Sequence, residues 1–354
     1  MAGLKEPATV DDIRAFALSR PRAALIASLW PQAGLCILHA RYPQLPAPAL
    51  LGAVFRVTWH PPRAHAARRP GMSKQTLPAW SEPFADPRRQ LKRGLRLRGV
   101  TRQWAWGDAT GAGVRVGIID SGLENAHPAL RGRVVENVTV EMTDDGPKVV
   151  PDDPIDLFGH GTACGGIILS LAPEAELVSI RVLGADLRGK GTAFAAGLEW
   201  AIDRGLQVCN LSLSSKSESL YPVFHDLADR AYFQSMALVS AANNVPAPSY
   251  PSLFSSVFSV AAHGEPDPWR LYYNPSPPVE FGAWGVDVPI AWKDGGSTVA
   301  TGNSFAAPHI AGLVARIVSK HPGLSPFELK AILASVADNP GRRHPWRHRP
   351  AARR

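Results

Sequence analysis

Three short segments of this 354-residue chain carry side chains that could together run nucleophilic acyl transfer. Asp120 lies in Gly117-Ile118-Ile119-Asp120-Ser121-Gly122, His160 in Gly159-His160-Gly161-Thr162, and Ser304 in Thr301-Gly302-Asn303-Ser304-Phe305-Ala306-Ala307-Pro308-His309. A serine hydroxyl attacks a carbonyl only when a base takes its proton and a carboxylate orients and charge-balances that base. Taken singly the segments are ordinary. Asp-Ser-Gly after a strand is usually a turn, His-Gly-Thr a helix start, and Asn-Ser before an Ala-rich run an N-cap. Together, in the order Asp, His, Ser, they describe one nucleophile, one base and one orienting acid.

Such groups must be held by rigid elements, and the flanking sequence supplies them. Val114 to Ile119, Leu177 to Leu183, Gln207 to Leu213 and Ala237 to Ala242 read as apolar strands. His160 to Leu171, Thr192 to Arg204, Ser304 to Ile317 and Pro326 to Val336 read as helices. Apolar strands alternating with helices predict an α/β protein with a mainly parallel central sheet covered on both faces. Sites in such sheets lie at the carboxyl ends of the strands. Asp120 follows a strand end, and His160 and Ser304 both open helices.

On Val116-Gly117-Ile118-Ile119-Asp120-Ser121-Gly122, Gly159-His160-Gly161-Thr162 and Ser304-Phe305-Ala306-Ala307-Pro308-His309, the chain resembles the subtilase family of serine peptidases from about residue 98 to 340. The resemblance implies a subtilisin-like three-layer fold and peptide-bond hydrolysis by an Asp120–His160–Ser304 triad. Val239-Ser240-Ala241-Ala242-Asn243-Asn244 is similar to the family's strand ending in Ala-Ala-Gly-Asn, which implies that Asn244 donates to the oxyanion beside the Ser304 amide. Ser212-Leu213-Ser214 and Ala241-Ala242-Asn243 resemble the walls of the substrate pocket, and Gly189-Lys190-Gly191 the edge that pairs with extended substrate. Three positions depart from the family pattern. Asn243 and Ser214 replace wall glycines, which predicts a preference for small or polar side chains before the cut, and Asn303 replaces a threonine. The calcium loop that many relatives carry after the His-bearing helix is deleted here. Asp144, Asp145, Asp152, Asp153 and Asp156 lack a ligand-loop pattern and read as a solvated surface turn. No metal or cofactor is therefore expected, although a weak calcium site is left open. Cys164, one helical turn after His160, reads as a packed thiol.

Composition bounds the setting. The apolar fraction is 45%, and no apolar run is long enough to span a bilayer. The N-terminus lacks a secretory pattern. Three cysteines, Cys36, Cys164 and Cys209, fit reduced thiols in a cytoplasm. Net charge is +8, but residues 103–340 hold 15 basic and 25 acidic residues, whereas 60–102 hold eleven basic and two acidic. An acidic body is thus flanked by basic segments. The expected organisation is a small α+β region over 1–60, a basic Pro/Arg-rich linker over 61–97, the catalytic domain over 98–340 and a basic disordered tail over 341–354. The front section reads as a pro-segment or a partner-binding unit whose basic end could contact the acidic body, with nucleic acid and membrane not expected as partners. The reading is a cytoplasmic serine endopeptidase acting on a polypeptide or precursor peptide, with narrow specificity. The alternative is a catalytically silent scaffold of the same fold.

Overall fold

The computed structural model describes residues 77–91 and 99–339. The α+β region expected over 1–60, Cys36 and the 341–354 tail lie outside the described residues. All described residues belong to one compact unit.

In chain order the helices are α1 (Glu82–Ala85), α2 (Pro87–Gln90), α3 (Arg102–Ala105), α4 (His160–Leu171), α5 (Gly191–Asp203), α6 (Tyr221–Phe233), α7 (Asn303–Lys320) and α8 (Pro326–Val336). The strands are β1 (Arg115–Asp120), β2 (Val134–Thr143), β3 (Gly146–Pro151), β4 (Glu176–Arg181), β5 (Val208–Leu211), β6 (Ala237–Ala241), β7 (Phe258–His263), β8 (Tyr272–Tyr273), β9 (Phe281–Trp284), β10 (Val288–Trp292) and β11 (Gly296–Ala300). Nine of them form one sheet in the order β3-β2-β4-β1-β5-β6-β7-β9-β8, and β10 and β11 form a separate hairpin. Pairing is parallel from β2 across to β9, with antiparallel strands β3 and β8 closing the two edges.

The sheet is parallel because its central strands have no polar face to show water. Every residue of β5 and β6, and all of β1 beyond Arg115, is buried. Successive β1 side chains enter opposite layers. Ile118 joins Ile168, Leu313 and Leu333 from α4, α7 and α8, whereas Ile119 joins Phe194, Leu198, Phe224 and Leu227 from α5 and α6. The result is the expected three-layer α/β architecture. Helix α4 starts and ends where the sequence places it, and α7 runs one turn past Ile317 because Val318 and Ser319 still pack or bond there.

Two expectations need correction. Residues 77–91 belong to the span read as a linker, yet they fold onto the body through α1 and the residue after α2, with Phe84 and Leu91 buried. Pro and Arg are frequent across the wider 61–97 span, and that average hides the apolar anchors of 77–91. The acidic stretch 144–156 is also not uniformly solvated. Asp144, Asp145 and Asp153 are exposed, but Asp152 forms a two-pronged ion pair with Arg181 at 2.6 Å and Asp156 is built into the site described next. Among the described residues no helix is long and apolar enough to cross a membrane.

Candidate active site

Asp120 ends β1, so the parallel sheet delivers its carboxylate, fully buried, at the sheet's carboxyl edge. His160 is the first residue of α4, and its Nδ1–H donates to both Asp120 oxygens at 2.9 Å. A carboxylate on that side fixes the tautomer and leaves Nε2 as an acceptor. Burial disfavours the charged ring, but attraction to and hydrogen bonding with Asp120, and attraction to Asp156, together hold the His160 pKa above its ordinary 6.5.

The start of α4 is fastened by a residue the sequence reading assigned to the surface. Asp156 Oδ1 accepts from the backbone N–H of Phe158 and Gly159 at 3.0 and 2.7 Å, and from Ser121 Oγ at 2.7 Å. Its Oδ2 accepts from Thr162 N–H and Thr162 Oγ1 at 2.8 and 2.7 Å. These donors include orphan amides of a helix N-terminus, the groups a capping carboxylate satisfies. Ser121 Oγ in turn accepts from Gly161 N–H at 3.2 Å, so the neighbours of Asp120 and His160 are tied through one acid. An acid four residues before His160 and six before a threonine was the available signal. It was masked by the other aspartates around it. Gly161 must lack a side chain, since a Cβ there would lie 2.1 Å from the Gly122 carbonyl oxygen.

Ser304 is the second residue of α7 and is partly exposed. Its setting follows from Pro308 four residues on, which has no N–H to give the Ser304 carbonyl. That carbonyl accepts instead from Ser212 Oγ at 2.8 Å, and Cys164 Sγ lies 3.8 Å away. Ser212 was expected to bind substrate. It does line the pocket, but its hydroxyl is committed to the backbone of Ser304 and also accepts from Asn210 Nδ2 at 3.0 Å. The Phe305 ring sits 5.3 Å from that of His160. Cys164 is fully buried, 4.0 Å from Asp120 Oδ2 and 3.4 Å from Ser212 Oγ. Burial first, then the Asp120 charge, pushes its thiol pKa well up, which keeps it protonated.

Asn244 follows β6. Its Oδ1 accepts from Asn303 N–H at 2.9 Å, which leaves the Nδ2 hydrogens free to point elsewhere. A Cβ built on Gly302 would stand 3.1 Å from Ser304 Oγ and 3.6 Å from Asn244 Nδ2, so hydroxyl and amide border the same small space. Next to it Ser212, Leu213, Ser214, Ala241, Ala242, Asn243, Asn244 and Ser304 enclose a pocket of about 100 Å³. Asn243 turns its Oδ1 to Val245 N–H, and Ser214 stands in the opposite part of the lining. Gly189, Lys190 and Gly191 do not line this pocket. They lead into α5, where a Cβ on Gly191 would meet Leu220 at 2.2 Å and Ser215 at 3.7 Å. Ligand atoms of Asp120, His160 and Cys164 lie within 4.8 Å of one another, the one such group among the described residues. A metal held there would displace the Asp120–His160 hydrogen bond.

A mainly parallel α/β sheet with a buried carboxylate–imidazole pair at its carboxyl edge, beside a serine opening a helix, marks the class of α/β serine hydrolases. Comparison with known proteins narrows the class. The sequence pattern of the subtilase family matches residues 111–348. Subtilisin BL of Lederbergia lenta is 33% identical over 247 residues, which span 66% of this chain and 86% of that protein. M-protease of Shouchella clausii (strain KSM-K16) is 32% identical over 247 residues, 66% of this chain and 61% of that one. The crystal structure of a cold adapted subtilisin-like serine proteinase superposes with a TM-score of 0.54 at 25% identity, covering 72% of this chain and 93% of that chain. The chain belongs to the subtilase family and is a serine endopeptidase.

Proposed function

We propose that the protein cuts peptide bonds through an acyl-enzyme formed on Ser304, with His160 as base and Asp120 as its orienting partner. Ser304 Oγ attacks the scissile carbonyl carbon while its proton passes to His160 Nε2. The resulting oxyanion is bound by Asn244 Nδ2 and the Ser304 N–H. Collapse breaks the C–N bond as His160 protonates the leaving amine, and water then repeats the cycle on the ester. The observation that carries this reading is the Asp120–His160 hydrogen bond, which leaves Nε2 unprotonated on a ring next to the start of α7. No cofactor is required. The four residues joining α4 to β4 leave little chain for a calcium loop, in keeping with this. The test is exposure of full-length protein to a serine-directed fluorophosphonate, followed by peptide mapping. A single adduct on Ser304 is expected, and an unlabelled protein would favour the silent scaffold.

The same reading includes a narrow-specificity maturation protease working on a precursor peptide in the cytoplasm. The pocket's 100 Å³ supports the narrow specificity, because sites for larger ligands usually run to about 300–1,000 Å³. The free, buried thiols of Cys164 and Cys209 fit a reducing compartment. Profiling with a peptide library should show Ala, Ser or other small side chains before the cut. Ser214→Gly should raise kcat/KM for Phe at that position about 10-fold or more relative to Ala. Wild-type preference for Phe or Leu would overturn the specificity reading. The front section stays in this proposal as a pro-segment or a recruiting domain whose basic end contacts the acidic body.

A further inference from the structure

Asn303, the residue before the nucleophile, is fully buried and spends both ends of its side chain. Its Nδ2 donates to the carbonyls of Ala79, Ala242 and Asn243 at 2.9, 3.1 and 3.2 Å. Its Oδ1 accepts from Ala262 N–H at 2.9 Å and from Ser81 Oγ at 3.4 Å. Two of these partners, Ala79 and Ser81, come from the 77–91 segment more than 200 positions earlier in the chain. Ala79 also donates its N–H to the Asn244 carbonyl at 2.9 Å. The segment therefore holds the backbone of Asn244 and the side chain of Asn303 at once. Asn303 N–H, in its turn, fixes the Asn244 amide.

The segment is anchored well. Phe84 is 1% exposed and fills a notch at Gly282, where a Cβ would lie 2.4 Å from its ring. Around it pack Leu91, Ala242, Ala261, Tyr272 and Val279. Trp80 stands at φ 70°, a backbone region that bulky residues enter only when their surroundings demand it. A threonine at 303 has one hydroxyl and could not reach carbonyls on the segment and on the Ala242–Asn243 strand end together. The departure at Asn303 and the presence of the segment are therefore matched.

We propose that residues 77–91 are a resident clamp that positions the oxyanion wall, with Asn303 as the positioning residue through which it acts. This rests on the roles assigned above to Asn244 and Ser304. It follows that any removal of the front section cuts upstream of Leu77, and that the clamp stays with the working enzyme.

The experiment compares full-length wild type with Phe84→Ala, Phe84→Leu, Asn303→Ala and the double variant Phe84→Ala/Asn303→Ala. It reads kcat, KM and hydrogen exchange. Phe84→Ala and Asn303→Ala should each lower kcat about 10- to 100-fold, with KM within about twofold, as expected for misplacement of a group that binds the transition state. The double variant should be no worse than the weaker single. Phe84→Leu should restore most of kcat. Exchange over 240–244 and 301–305 should rise in Phe84→Ala, with β1 and β4 unchanged. Independent losses that multiply in the double variant would overturn the proposal. So would full kcat in a Phe84→Ala protein whose 77–91 amides exchange freely, or unchanged exchange at 301–305. The exchange result stands whether or not the wild type turns over, so failure of the catalytic reading would be recognised separately. If Phe84→Ala does not fold, Ala79→Pro, which removes the N–H given to Asn244, takes its place under the same criteria.

Discussion

Ser304→Ala is expected to lower kcat by about 10⁶ while KM for a good peptide substrate changes little. The pocket walls are contributed by Ser212–Ser214 and Ala241–Asn244, and the Ser304 backbone is held by Ser212, so deleting one hydroxyl leaves the binding surface in place. What disappears is the atom that forms the acyl bond. Residual turnover of about 10³–10⁴ over water should survive, supplied by binding and the oxyanion donors. Steady-state kinetics on wild type and variant, with substrate affinity for the variant measured separately, decide it. A loss confined to KM would mean that Ser304 only lines the pocket.

Asp120→Asn should lower kcat by about 10⁴ and displace the acid limb of the pH profile. In the wild type, kcat/KM should fall as pH drops through the raised His160 pKa, above 6.5, because a protonated ring cannot take the Ser304 proton. An amide in place of the carboxylate removes the attraction that raises that value, so the limb should move to lower pH. The amide can also present its NH₂ to Nδ1 and select the wrong tautomer. Stability runs the other way from activity. A histidine whose pKa is raised in the folded state contributes most below its unfolded value near 6.5, and that contribution is lost as pH rises through the folded pKa. The Asp120–His160 pair should therefore steady the fold where the enzyme is idle. A limb that does not move in Asp120→Asn would show that another group sets it.

The parts of the site that could be read from sequence are those with a local cause. Asp120 ends an unbroken apolar strand, His160 and Ser304 open runs of small and apolar residues, and each position declares itself within ten residues. Asp156 lacked that advantage, for its carboxylate differs from those of Asp152 and Asp153 only in which amides surround it. The Ser212 hydroxyl was legible in part, because Pro308 announces a carbonyl that its own helix cannot satisfy, yet the partner's identity required the packing of β5 against α7. The 77–91 segment was hidden most completely. Two side chains, Phe84 and Leu91, decide its fate within a stretch whose average composition is that of a linker. The β2–β3 hairpin escaped for a related reason, since an edge with only two fully buried residues, both on β2, shows a diluted apolar pattern.

The strand order also bears on when the enzyme can first act. Strand β1 needs β4 on one side and β5 on the other, both made after it, and α7, with Ser304, packs across β5, β6, β7 and β9. During synthesis the acid emerges first, the base next, and the hydroxyl only after nearly the whole sheet has left the ribosome. A half-made chain that ends before α7 then carries no complete triad and cannot cut its neighbours.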